Sequence, residues 1–329
     1  GRFTNERKVS PKKWYQLFKE RIDKHFKPYP TPKKLPQNSF KIPDRIDQFK
    51  IFSLRSILSK LTNRQYLLIN FLEAPVLAFI LAFFTKFIAG TETNPNVYLF
   101  SQNENIPGYL FMAVVVALFV GLTVSAEEII RDRKLIEREK FLNLSPSSYI
   151  NSKVMLMLAI SAIQSFTFVL VGNLILEIQD LFFEYWLILF STAAVANIVG
   201  LNISAGMNSV VTIYILIPFI LVPQLLLSGA VVSFDKLHKS IASDEYTPLV
   251  GDLMPSRWAY EALSVVQFKD NSYEKRFFEI DKRISNCNFK AAYLIPNLQN
   301  RVQTQMAGNA TQAKAHNEMK LLANELAEL

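Results

Sequence analysis

From Asn105 to Ala126 the chain runs for 22 residues without a charged side chain, and the 27 that follow, Glu127 to Lys153, hold six Lys or Arg and five Asp or Glu. At 1.5 Å of rise per residue the uncharged run makes a helix of about 33 Å, enough to cross a hydrocarbon core of roughly 30 Å. The charged segment must then leave the bilayer. A further uncharged run of 23 residues, Val154 to Leu176, goes back in. These stretches predict an all-α, polytopic membrane protein. Two readings fit the charged stretch: a transmission element on which a soluble partner can push, or a solvated loop that fixes orientation through its basic residues.

Composition supports the class, because half of the 329 residues are hydrophobic and only 19% are charged, a poor match to one soluble globule. The charge is also segregated. Residues 1–65 carry 17 Lys or Arg against five Asp or Glu, so they are net +12 within a chain of net +8. A basic flank beside a first span is expected on the cytoplasmic side of an inner (plasma) membrane, held there by the insertion bias and the anionic leaflet. Nothing interleaves aromatic and basic residues as a nucleic-acid site does, so no nucleic-acid partner is expected. The single cysteine, Cys287, and three scattered histidines, His25, His238 and His316, lack metal-ligand spacing, so no metal site is expected. The sequence starts at Gly1 without Met and has no signal peptide, as expected of a piece of a longer protein.

Residues 1–45 contain Pro28, Pro30, Pro32, Pro36 and Pro43 among basic residues, a composition for an extended linker. A short helix is expected over Pro11 to Phe26. Across 46–65, Ile51, Leu54, Leu58 and Leu61 repeat at helical spacing beside Lys50, Arg55, Lys60 and Arg64. Such an amphipathic helix lies in the headgroup plane or packs on a soluble domain.

The transmembrane region is expected over 66–234, with spans at about 66–88, 105–126, 154–176, 185–205 and 210–232. The last two come from a 50-residue uncharged run, Tyr185 to Phe234, with a turn expected near Gly200 to Ser209. Loops after the first and third spans hold acids and no Lys or Arg, so they are read as external. Glu73 falls about 10 Å into the first span, where a carboxylate implies either a functional role or a buried structural pairing. Ala113, Ala117 and Gly121 give the second span a small-residue face for close helix packing. Pro218 and Pro223 in the fifth mark either a simple bend or a cavity. Residues 235–329 form an external, helical loop region.

Four segments, in order, resemble the permease domain of the White-like, or G-subfamily, ABC exporters: DQFKIFSLRSILSKLTNRQY, KLIEREKFLNLSPSSYINSK, LLLSGAVVSF and MPSRWAYEAL. The resemblance implies a connecting helix, a cytoplasmic coupling helix with Glu137, Arg138 and Glu139 as its contact residues, and an external re-entrant segment. Together with the depth of Glu73 and the prolines of the fifth span, it implies a translocation path past Glu73, Phe119, Pro218, Pro223, Gln224, Ala230 and Val231. It also implies partners: a nucleotide-binding domain, fused upstream or separate, that holds ATP and Mg, and a second copy or a related half-transporter. A sixth span is expected beyond Leu329. No G-x-x-x-x-G-K-[ST] loop occurs in the chain, and Ala230 and Val231 stand where some drug exporters have paired leucines. Two other classes stay open: an ion-coupled carrier or channel using Glu73, and a non-transporting membrane scaffold.

Overall fold

A computed structural model describes residues 9–26, 43–90, 94, 97–139, 142, 144–232, 234, 237–238, 247–272, 274–306 and 323. Every described element is helical. The chain divides into two units, Gly1–Pro43 and Asp44–Leu329. In the first, α1 (Pro11–Phe18) starts where the Ser10 hydroxyl accepts from the Lys13 amide at 3.3 Å, with Pro11 at the first helical position, and wider turns continue it to Asp23. That start is a Ser cap followed by a residue with no amide hydrogen to lose.

The second unit begins with α2 (Arg45–Thr62) and α3 (Arg64–Thr85). A single residue, Asn63, separates them; it is extended, and its side chain accepts from the Tyr66 amide at 3.1 Å to start α3. There follow α4 (Ile106–Ala126), α5 (Glu128–Glu139), α6 (Pro146–Leu176), α7 (Phe182–Gly206) and α8 (Val210–Leu226). Beyond them lie α9 (Leu249–Asp252), α10 (Pro255–Val265), α11 (Phe278–Phe289) and α12 (Ile295–Met306). Among the described residues four helices are long and apolar enough to cross a membrane: α3, α4 with α5 running on from it, α6 and α7. The protein is a polytopic helical membrane protein.

The 17-residue α8 is shorter, about 26 Å by helical rise, and stops at Leu226 rather than near Val232. The cause is local. Ser228 accepts from the Ala230 amide at 3.2 Å, and Gly229 takes a left-handed conformation (φ 78°) beneath the Phe234 ring. Only a residue without Cβ adopts that turn freely. The break between α7 and α8 falls at Met207–Ser209, inside the expected turn. The first span ends at Thr85, three residues early, and Lys86 beyond it bonds Glu177 at 2.9 Å. Beyond Met306, all but Ala323 of the tail expected to be helical lies outside the described residues.

α4 is the central helix, buried on nearly every side, and its most extensive contact is with α7. Of the expected small face, Ala113 and Gly121 are buried and Ala117 is half-buried. A Cβ at Gly121 would stand 2.7 Å from the Ala193 carbonyl oxygen and 2.8 Å from the Ala196 methyl. Between helices in lipid, close van der Waals approach is a main attraction, so this glycine sets the α4–α7 distance. Gly121→Val is expected to cost about 1–3 kcal/mol through overpacking, seen as a lower unfolding midpoint of the detergent-solubilised protein. Gly108→Ala, in open space, is the control. Equal midpoints for both variants would refute the tight contact.

α3 is peripheral. Ala74, Ala78 and Ala82 are its buried stripe, while Leu68, Phe71, Phe79 and Phe83 are more than half exposed. Polar side chains fasten the outer helices: Gln164 donates to the Asn70 carbonyl at 3.2 Å, Asn197 to Ser161 Oγ at 2.7 Å, and Trp186 Nε1 to the Ala162 carbonyl at 3.0 Å.

Candidate functional site

At one end of the bundle the charged stretch continues as α5, separated from α4 by Glu127 alone. Glu128, the first residue of α5, is buried. One of its carboxylate oxygens accepts from Lys60 Nζ of α2, and the other accepts from Lys153 Nζ of α6 at 3.2 Å. Lys153 also reaches Asp132 Oδ2 at 2.7 Å, and the Tyr149 hydroxyl donates to that oxygen at 3.1 Å. Lys60, Lys153, Glu128 and Asp132 therefore form a compact quartet of two cations and two anions. Ions removed from water at such cost persist only when each is paired.

The remaining bonds tie α5 to everything around it. Ser204 Oγ of α7 accepts from the amides of Ile129 and Ile130, both at 3.1 Å, so a side chain from another helix caps the unpaired first turn of α5. Arg133 donates to Asn208 Oδ1 at 2.6 Å and to the Ala205 carbonyl at 2.9 Å, at the end of α7 where carbonyls lack intrahelical partners. The Tyr214 hydroxyl of α8 donates to Glu127 at 2.8 Å. Arg55 of α2 donates through Nη1 to both oxygens of Glu139, at 2.9 and 3.0 Å. At the start of α2, Gln48 accepts from the Ser145 amide at 2.8 Å and Ser148 Oγ donates to the Arg45 carbonyl at 2.9 Å, joining α2 to the start of α6. Displacing α5 thus displaces the ends of α2, α4, α6, α7 and α8 together.

Of the three residues expected to contact a partner, Glu139 faces α2. Glu137 and Arg138 are exposed and make no ion pair or hydrogen bond among the described residues. The residues expected along a path are spread over the length of the bundle and form no single site. Glu73 is half-buried, with no bonded partner among the described residues. Phe119, Pro218 and Pro223 are on exposed faces. Gln224 is half-buried and holds α10: its side chain accepts from the Ser256 amide at 3.2 Å, and its carbonyl accepts from Ser256 Oγ at 2.7 Å. Ala230 is half-buried in the turn after α8, and Val231 is exposed. Around α10, Phe111 meets Tyr260 edge-on at 5.7 Å, and the Tyr185 hydroxyl donates to the buried Gln267 just beyond the helix. α10 therefore wedges among α4, α7 and α8.

Sequence reasoning missed the quartet and the Ser204 cap. Glu128 and Asp132, four apart, share a helix face and could have been noticed, but Lys60 lies 68 residues from Glu128, and no local pattern announces that pairing. Among the described residues no cluster of His, Cys, Asp and Glu could hold a metal ion.

A protein-family description, ABC-2 type transporter, matches residues 47–268. That stretch runs from the start of α2 to just past α10 and contains every ion pair of the quartet. No curated protein matches the chain.

Proposed function

The chain belongs to the ABC-2 type transporter family, and from that membership we propose that it is the membrane half of an ATP-driven exporter, working as a pair of copies around a central path. It is a permease component, and such permeases work with an ATP-binding partner in a lipid bilayer. The net +12 of residues 1–65 favours placing the amino end and α5 in the cytoplasm. This chain's sequence has no G-x-x-x-x-G-K-[ST] loop, the phosphate cradle of such nucleotide-binding domains. ATP and Mg belong to the partner, and hydrolysis there supplies the energy.

The observation that carries the proposal is the bonding of α5. A helix continuous with the central span and tied to α2, α6, α7 and α8 can turn a push into a concerted movement of helix ends. A loop serving only as a topology signal needs none of those bonds. Glu137 and Arg138 supply the exposed charges for a cleft on the ATP-binding domain, where charge-assisted bonds grip well. At the other end, α10 and its Gln224–Ser256 contacts serve as the outer seal that the movement must open.

The test uses proteoliposomes of the intact transporter with its ATP-binding domain. Glu137→Arg combined with Arg138→Glu is expected to abolish substrate-stimulated ATP turnover and lower flux at least tenfold, about 1.4 kcal/mol, with insertion unchanged. Parental flux and turnover in that double variant would reject a pushing contact at this surface.

A further inference from the structure

Beside the quartet lies a polar cavity of about 320 Å³, and directly against it an apolar groove of about 250 Å³. They share Lys60 and Tyr66 in their walls, so the two abut along that pair as a two-part recess, charged on one side and greasy on the other. The cavity wall carries Arg55, Lys60, Arg131 and Lys153 against Glu128 and Asp132. Glu139 and Glu127 further occupy Arg55 and Arg131, so the local charges balance. Four charged side chains of the wall keep some exposure, Arg131 at 58%, Arg55 at 36%, Asp132 at 26% and Lys60 at 14%, and Arg131 lies 3.7 Å from Glu127.

The groove runs between α3 and α6 from the level of Leu156 to Gln164, eight residues or about 12 Å. One leaflet of a hydrocarbon core of roughly 30 Å is about 15 Å deep. The Gln164–Asn70 hydrogen bond closes the groove at that depth. Its mouth lies at the C-terminal turn of α2, whose apolar stripe of Ile51, Leu54, Leu58 and Leu61 is exposed. A helix with that stripe rests at headgroup level, so the recess opens where a lipid's head and chain meet.

We propose that this recess binds one aminophospholipid, of the phosphatidylethanolamine type, from the leaflet at the charged end of the bundle. Its phosphate faces Arg131 and Lys60, its ammonium faces Asp132, and one acyl chain lies against Leu67, Phe71 and Ile160. The balanced charge is what selects the head. A purely anionic head brings no cation to the exposed Asp132, and a quaternary ammonium cannot donate a hydrogen bond to it. The site needs no nucleotide and no second copy, so its failure and that of the transport reading are separately visible.

The full chain in detergent, photolabelled with phosphatidylethanolamine carrying a diazirine in one acyl chain, tests the proposal by mapping the modified peptides. Labels are expected on Leu67 to Phe71 and Leu156 to Ile163. Unlabelled phosphatidylethanolamine is expected to compete, whereas diacylglycerol, glycerophosphoethanolamine and phosphatidylglycerol at equal concentration compete at least about tenfold less well. Ala159→Trp fills the groove from an exposed position, and Ser59→Glu adds a like charge at an exposed cavity position. Each is expected to lower the groove label about tenfold with an unchanged unfolding midpoint. The proposal fails if the outward residues Phe79 and Phe83 label as strongly, if Ala159→Trp leaves the label intact, or if diacylglycerol or phosphatidylglycerol competes as well as phosphatidylethanolamine.

Discussion

Glu128→Leu is expected to be the most damaging single substitution at the charged end of the bundle, costing about 3–5 kcal/mol, the range for breaking a buried ion pair from one side. The carboxylate serves two lysines at once. Lys153 keeps Asp132 when Glu128 is gone, but Lys60, only 14% exposed in its side chain, is left with the Tyr66 hydroxyl alone. A cation in that position must draw in water, lose its proton or pull α2 away from α5 and α6, and each disturbs the fold. Because whole-domain stabilities are of order 5–15 kcal/mol, low yield and a sharply lower unfolding midpoint in detergent are expected. The second half of the prediction separates charge from shape. Lys60→Met added to Glu128→Leu removes the stranded cation and leaves an apolar pair, and is expected to recover most of the loss. A double variant no better than the single one would show that Glu128 acts through packing or its place at the start of α5, and the electrostatic account would be wrong.

Arg55→Glu should instead leave the protein folded and stop it working. The Arg55–Glu139 bridge is partly exposed, 36% and 24% in the two side chains, so solvent screening limits its contribution to stability to about 0–1 kcal/mol. Its place is what matters: it joins α2 to the last residue of α5, 84 positions away in sequence. The guanidinium is steadied by the Phe52 ring at 5.2 Å, which meets Tyr149 of α6 edge-on at 5.7 Å. With like charges facing each other, α2 no longer follows α5. In proteoliposomes of the intact transporter, ATP-driven flux is expected to fall about tenfold, about 1.4 kcal/mol of coupling, while the unfolding midpoint stays within the narrow range above. Exchanging the pair, Arg55→Glu with Glu139→Arg, restores opposite charges and is expected to restore flux. If the exchanged pair remains as impaired as Arg55→Glu, residue identity rather than attraction across the α2–α5 contact is responsible. Parental flux in Arg55→Glu would mean that α5 moves without α2.

What the sequence determined by itself was the set of helices and their relation to a bilayer. A run such as 105–126 has one low-energy form in hydrocarbon, because only a helix satisfies its own amides there. The uncharged runs 105–126 and 185–205 mark their helices to within about three residues, and the mixed charge after Ala126 marks where α4 gives way to α5, but α6 begins eight residues before its run, at Pro146, and α8 ends six before Val232. Local turn chemistry was legible at Pro11, the expected and actual start of α1, whereas the Ser145 cap and Pro146 start of α6 were not read from the sequence. The early end of α8 was not, because it depends on Gly229 meeting the ring of Phe234, a contact between a turn and a residue beyond it.

Only tertiary structure decided what the charges do. Glu137, Arg138 and Glu139 look alike in sequence, yet rotation of 100° per residue around α5 turns Glu139 onto Arg55 and leaves its two neighbours exposed. Lys60, Glu128 and Lys153 carry no local sign of belonging together, since their pairing exists only after α2, α5 and α6 converge. An apolar side chain reads the same whether it meets lipid or another helix, so the burial of Ala74, Ala78 and Ala82 and the exposure of Phe119 and Pro218 waited on the packing of the bundle. The periodicity of a membrane helix reports its solvent, and in lipid that solvent does not distinguish inside from outside.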